Sequence, residues 1–81
     1  MFTILIIDDD PAVLQLLKRT LKLQGYDIII AENGTEGLQK AIDFRPSLII
    51  CDWLMPGLNG LEVCRQIKSI PELSSTFFIL S

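Results

Sequence analysis

Apolar residues along the chain fall into two alternating patterns, short unbroken runs and stripes of helical period. Ile4-Leu5-Ile6-Ile7 is an unbroken, β-branched run, stopped by Asp8-Asp9-Asp10 and Pro11. Such a run suits a strand buried on both faces. Asp10 is a good helix N-cap. Pro11 fits the first helical position, where its missing N–H costs nothing. Val13, Leu16, Leu17, Thr20 and Leu21 then recur at the spacing of one helical face. Gly25 is placed to end that helix in a left-handed conformation.

The alternation continues to the last residue. Tyr26 to Ala31 reads as a second strand, Asn33-Gly34 as a turn, and Leu38, Ala41 and Ile42 as the inner stripe of a shorter helix that Pro46 closes. Leu48-Ile49-Ile50-Cys51 is a third strand ending directly at Asp52. Residues 54–60 contain Pro56, Gly57 and Gly60 and read as a loop. Asn59 can cap a third helix with Leu61, Cys64 and Ile67 inward, and Phe77-Phe78-Ile79-Leu80 begins a fourth strand after Pro71. The order β-α-β-α-β-α-β, with no internal repeat, predicts an α/β fold with right-handed crossovers and a doubly wound parallel sheet.

Composition narrows the class. The chain has 81 residues, enough for one small domain, and 49% of them are hydrophobic. Mean hydropathy is +0.43, high for so short a chain and explained by strands covered on both sides. No apolar run approaches the roughly 18 residues of a membrane span, and no basic segment precedes the first run as in a signal peptide. A net charge of −3 leaves no electrostatic footprint for nucleic acid. Cys51 and Cys64 read as small core residues in a reducing, cytoplasmic setting. Two cysteines without histidine are too few for a zinc site, and the lack of histidine also excludes a phosphohistidine on this chain.

The candidate chemistry lies in the aspartates. In a doubly wound sheet, ligands gather beyond the carboxyl ends of the strands. Asp8, Asp9 and Asp10 follow strand one and Asp52 follows strand three. Once strand two has crossed to the outside, those two strands become neighbours. Carboxylates brought together there repel unless a proton or cation intervenes. Mg²⁺ answers that need with oxygen ligands, and it favours phosphoryl transfer. A carboxylate that attacks phosphorus forms an acyl phosphate. The bland alternative is that an Asp after a strand is a solvated turn residue or cap, and Asp10 reads that way. Trp53 reads as loop packing and Phe77 and Phe78 as core. Lys18, Arg19, Lys22, Lys40, Arg65 and Lys68 read as solvated helix faces.

Three segments together resemble the receiver domain of two-component response regulators: Leu5-Ile6-Ile7-Asp8-Asp9-Asp10, Ile50-Cys51-Asp52-Trp53-Leu54-Met55-Pro56-Gly57 and Asn59-Gly60. Asn33-Gly34-Thr35-Glu36-Gly37-Leu38 is similar to that family's entry into its second helix. The resemblance implies a flavodoxin-like sheet with strand order 2-1-3-4, roughly the first two-thirds of a five-stranded domain. It implies Asp52 as phosphoacceptor, served by a sensor histidine kinase or a phosphotransfer protein. It also implies Mg²⁺ held by Asp8, Asp9, Asp52 and the backbone carbonyl of Leu54, and Ser81 as the hydroxyl that reaches the phosphoryl group. Gly57 is implied to let the loop beside the site turn tightly.

The same resemblance sets one expectation against the others. The family carries a lysine at the end of a fifth strand, and this sequence stops at Ser81. Residues 1–81 are therefore expected to be a partial receiver, slow to accept a phosphoryl group and without independent turnover. Strand four, as a bare apolar edge, is expected to pair with a second copy. The alternative is a phosphorylation-silent, receiver-like interaction or dimerisation module. A metal-dependent phosphohydrolase is disfavoured, because those enzymes usually show a second Asp two residues after the nucleophile, where this chain has Leu54.

Overall fold

The computed structural model describes residues 1–81. Its elements run β1 (Thr3–Ile7), α1 (Pro11–Leu23), β2 (Asp27–Ala31), α2 (Gly34–Phe44), β3 (Leu48–Cys51), α3 (Gly60–Lys68) and β4 (Phe77–Leu80), with a single 3-10 turn at Pro71–Leu73. All strand pairs are parallel and the order is β2-β1-β3-β4, as expected.

Each helix starts where a side chain can replace a missing backbone partner. Asp10 accepts from the Ala12 amide at 2.9 Å, Asn33 from that of Glu36 at 2.8 Å, and Asn59 from that of Glu62 at 3.0 Å. Asn33 is thus a cap as well as a turn residue. Glu36 and Glu62 place negative charge in the first turns of α2 and α3, where the helix dipole favours it. Gly25, at φ +94°, leads the chain out of α1.

The sheet's two faces pack separately because strand side chains alternate. Ile4 and Ile6 pack with Leu14, Leu17 and Leu21 of α1, joined by Ile28 and Ile30. On the opposite face Leu5, Ile7, Ile49 and Cys51 pack with Ala41 of α2, Val63 and Ile67 of α3, and Leu73. Helices lie on both faces, and all five residues of β1 are shielded or nearly so.

The helical stripes are rotated from the predicted ones. Leu14 is buried, whereas Leu16 is 65% exposed and Thr20 is exposed, with its hydroxyl donating to the Leu16 carbonyl at 2.8 Å. The face that meets the sheet follows the 14–17–21 spacing. The extra leucine at position 16 drew the predicted stripe off it. In α2 the inner face is Gly34, Gly37, Leu38 and Ala41, and Ile42 is exposed. In α3 it is Gly60, Val63 and Ile67, with Leu61 and Cys64 only half-buried. Glycine at three of these positions hides the periodicity, since it adds nothing to an apolar pattern.

The edges differ. At β2, the Lys40 ammonium donates to the Ile30 carbonyl at 2.7 Å and pairs with Glu36 at 3.1 Å, so Lys40 is more than a solvated charge. Lys68 likewise reaches the Thr76 carbonyl. At β4 no charge intervenes, and Phe77 is 71% exposed rather than in the core, with Ile79 exposed beside it.

The rotated stripe gives a direct prediction. Leu14→Ala should lower unfolding free energy by about 2–5 kcal/mol, as for a buried leucine, and Leu16→Ala by no more than about 0.5 kcal/mol. Urea titration of both variants reads the difference, and equal losses would restore the predicted face.

Candidate phosphoacceptor site

Parallel pairing of β1 with β3 aligns Ile7 with Cys51, so the next residues, Asp8 and Asp52, emerge side by side. The ladder runs on one residue further, with the Asp52 amide donating to the Ile7 carbonyl at 2.8 Å and the Asp8 amide to that of Ala31 at 3.1 Å. Neither carboxylate therefore hangs from a free loop. One carboxylate oxygen from each of Asp8, Asp9 and Asp52 lies within 4.8 Å of the others, with Asp8 and Asp52 half-buried and Asp9 exposed. Asp10 caps α1 and does not join the group.

Ser81 comes to the same end of the sheet. Its amide donates to the Cys51 carbonyl at 3.0 Å, and its own carbonyl accepts from the Trp53 amide at 3.0 Å. Leu54 is exposed, and no protein group donates to its carbonyl, which stays free to meet a ligand. Gly57 has φ +75°, the left-handed conformation expected of a tight turn. Trp53 is half-exposed beside the aspartates.

The electrostatics carry the mark of crowding. The Asp8 carboxyl is raised above its ordinary 3.8, chiefly by burial. Repulsion from Asp52, Asp9 and Asp10 adds to this, while the Asp10 amide, donating to its Oδ1 at 2.9 Å, opposes it. Burial first, and then the Asp52 and Asp8 carboxylates, push the Cys51 thiol up to about 12. Cys51 is therefore an inert core thiol, and both cysteines are free. The three oxygens are hard donors around an electronegative cleft, a set that fits Mg²⁺ better than a soft metal.

Gly60 is the residue whose part the sequence conceals. Its amide donates to the Trp53 carbonyl at 3.1 Å, and a Cβ there would stand 2.5 Å from the Asp52 carbonyl oxygen. The start of α3 is seated on the backbone of Asp52. Gly37 does the same for β1, since a Cβ on it would collide with the Ile7 side chain. Glycines within helical stretches were the available signal.

Comparison with known proteins gives one consistent result. The profile of the response regulator receiver domain family matches residues 4–80. Response regulator MprA from Mycobacterium sp. (strain KMS) is 46% identical over 66 residues, covering 82% of this chain and 29% of the relative. Chemotaxis protein CheY4 of Vibrio cholerae superimposes with a TM-score of 0.94 at 30% identity, covering 99% of this chain and 67% of that one. TrrA of Thermotoga maritima, solved in complex with Mg²⁺–BeF, matches with a TM-score of 0.82 at 32% identity, over 100% of this chain and 87% of that one. The chain thus spans under a third of the length of the curated relatives it matches.

The raised Asp8 carboxyl fixes the sign of a pH effect. The folded state holds the Asp8 proton more tightly than the unfolded state. Its contribution is fully present below 3.8 and is lost as pH rises through the folded value. In metal-free buffer, wild type should lose stability relative to Asp8→Asn between about pH 4 and pH 7. The amide retains the acceptor for Asp10 while removing the charge. Parallel denaturant midpoints across that range would contradict the electrostatic account.

Proposed function

The chain belongs to the response regulator receiver domain family, and on that premise we propose that Asp52 accepts a phosphoryl group from a sensor histidine kinase or a phosphotransfer protein. The observation that carries this reading is the meeting of Asp8, Asp9 and Asp52 within 4.8 Å at the carboxyl ends of β1 and β3. A silent interaction module has no use for three carboxylates held so close, and that alternative is not favoured.

In the proposed reaction an Asp52 carboxylate oxygen attacks phosphorus. The O–P bond forms as the P–N bond to the donor imidazole breaks, and the imidazole nitrogen keeps the electron pair. Asp8 and Asp9, with Asp52 and the Leu54 carbonyl, are the residues that would hold Mg²⁺. When bound, the ion neutralises charge on the phosphoryl oxygens. The half-buried carboxylates fit that role because the ion offsets their mutual repulsion. The Mg²⁺–BeF complex of TrrA supports carrying the metal over to this chain. Ser81, tied by its backbone to Cys51 and Trp53, brings a hydroxyl to the phosphoryl side.

Residues 1–81 we read as the first four strands of a receiver, acting in the cytoplasm. The group modified is the protein's own side chain, so no turnover on a separate substrate is expected. No cationic side chain pairs with Asp8, Asp9 or Asp52, which predicts slow labelling. A second copy is the partner proposed for β4, the edge without a guarding charge.

Incubation with acetyl phosphate and Mg²⁺ should add one phosphoryl group slowly to wild type, detected as a hydroxylamine-labile mass increment, and none to Asp52→Asn. Equal incorporation in the variant would place the acceptor elsewhere. At about a hundredfold excess over its Kd, Mg²⁺ should stabilise wild type by about 2.7 kcal/mol. Asp9→Asn should lose most of that gain. For the β4 edge, sedimentation should show concentration-dependent dimers weakened by Ile79→Lys, an exposed position, and a clean monomer at high concentration would sink the pairing.

A further inference from the structure

The outer edge of β4 presents its backbone groups in an order that fixes how a second copy can pair with it. Phe77 and Ser81 turn their amides to β3, donating to the Ser47 and Cys51 carbonyls at 3.1 and 3.0 Å. Alternation along the strand then points the backbone groups of Thr76, Phe78 and Leu80 outward. Thr76 is already satisfied. Its amide donates to the Leu73 carbonyl at 3.1 Å, and its own carbonyl accepts from the Lys68 ammonium. Only Phe78 and Leu80 remain to be paired. An antiparallel copy uses all four of their groups when Phe78 lies opposite the partner's Leu80, with the two-fold axis at Ile79. Exposed Ile79 then meets the partner's Ile79, and exposed Phe77 comes diagonally beside them.

That register brings opposite charges together twice. Helix α3 runs from Gly60, seated on the Asp52 carbonyl at the carboxyl end of the sheet, to Lys68 at the amino end of β4. In the antiparallel copy this order is reversed. The partner's Thr76 stands level with the position just beyond Ser81, one strand spacing of about 4.8 Å to the side. Ser81 itself lies beside Asp52, held between Cys51 and Trp53. The partner's Lys68 therefore arrives at the mouth of the cleft that Asp8, Asp9 and Asp52 form. Within one chain those carboxylates have no cationic partner, since the two ion pairs are Lys40–Glu36 and Arg65–Glu62. The two α3 helices, each over its own β3 and β4, come to about 10 Å apart, a distance at which helices pack.

We propose that in a β4-paired dimer the partner's Lys68 completes the phosphoacceptor site, neutralising charge on the phosphoryl oxygens as Asp52 is modified. The inference rests on the acceptor role of Asp52 and on the β4 pairing proposed above, and it adds the residue that crosses between copies. The flexible stem of Lys68 lets its ammonium swing from the Thr76 carbonyl to the more strongly accepting phosphoryl oxygens. The ammonium transfers no proton. With acetyl phosphate as donor, the O–P bond to Asp52 forms as the bond to acetate breaks, and acetate leaves with the electron pair.

The test follows Asp52 labelling by acetyl phosphate and Mg²⁺ beside sedimentation of the same samples. The rate per wild-type chain should rise with the dimer fraction, by about tenfold or more between dilute monomer and dimer. Lys68→Gln keeps a donor for Thr76, so it should dimerise yet label at the monomer rate, and Lys68→Arg should restore most of the gain. Mixing decides which copy supplies the cation. Lys68→Gln should label fast again in an excess of Asp52→Asn, which brings Lys68 but accepts nothing itself. A rate independent of concentration in a sedimenting dimer, full speed in dimeric Lys68→Gln, or no rescue on mixing overturns the proposal. A clean monomer at high concentration overturns it through the β4 pairing, and unlabelled wild type overturns it through the acceptor reading.

Discussion

Everything at the site depends on one unfavourable interaction, the repulsion among the carboxylates of Asp8, Asp9 and Asp52. In water these groups would separate. Here the pairing of Ile7 with Cys51 prevents it, because the residues that follow a matched parallel pair must emerge together. The cost is offset by the packing beneath: Leu5, Ile7, Ile49 and Cys51 are fully buried and fix the two strands in register. A one-residue slip would turn each of these side chains to the other face of the sheet, so the core that stabilises the domain also enforces the convergence. The Asp8 carboxyl is raised chiefly by its burial at this junction, and the neighbouring carboxylates add to it.

That dependence explains why so much was legible in the chain itself. Buried parallel strands must be unbroken apolar runs, and these are visible without a structure. The acids stand out because they interrupt those runs at the ends where ligands collect. Asp10 and Asn59 were equally readable, since a helix start has few side chains able to satisfy its amides, whereas Asn33 read as a turn and caps α2 as well. The helical faces were harder. Leu14 and Leu16 have the same side chain, and only contact with Ile4 and Ile6 distinguishes them. Val63 was missed for a related reason, because Leu61 and Cys64 on either side of it offered a competing stripe.

What the pattern could not show was the use of space. Gly34, Gly37 and Gly60 look like weak points in helices by propensity. In the fold each admits an atom from a neighbouring segment: the Leu58 carbonyl at Gly34, the Ile7 side chain at Gly37, the Asp52 carbonyl at Gly60. Lys40 is a similar case. Its sequence context suggests a solvated helix face, and only the tertiary structure brings its ammonium to an edge carbonyl of β2. Long flexible side chains disclose their partners late, because their reach spans several candidate acceptors.

The seating of Gly60 on Asp52 has a mechanical meaning. No side chain cushions the contact, so a displacement of the Asp52 backbone by a fraction of an ångström is passed to the first turn of α3 without being absorbed. The same stiffness works in reverse. A protein that grips α3 and tilts it would alter the posture of the Asp52 carboxylate, and by linkage what favours one arrangement at the cleft favours the matching grip on the helix. An absent methyl group thereby makes sender and receiver of the movement interchangeable.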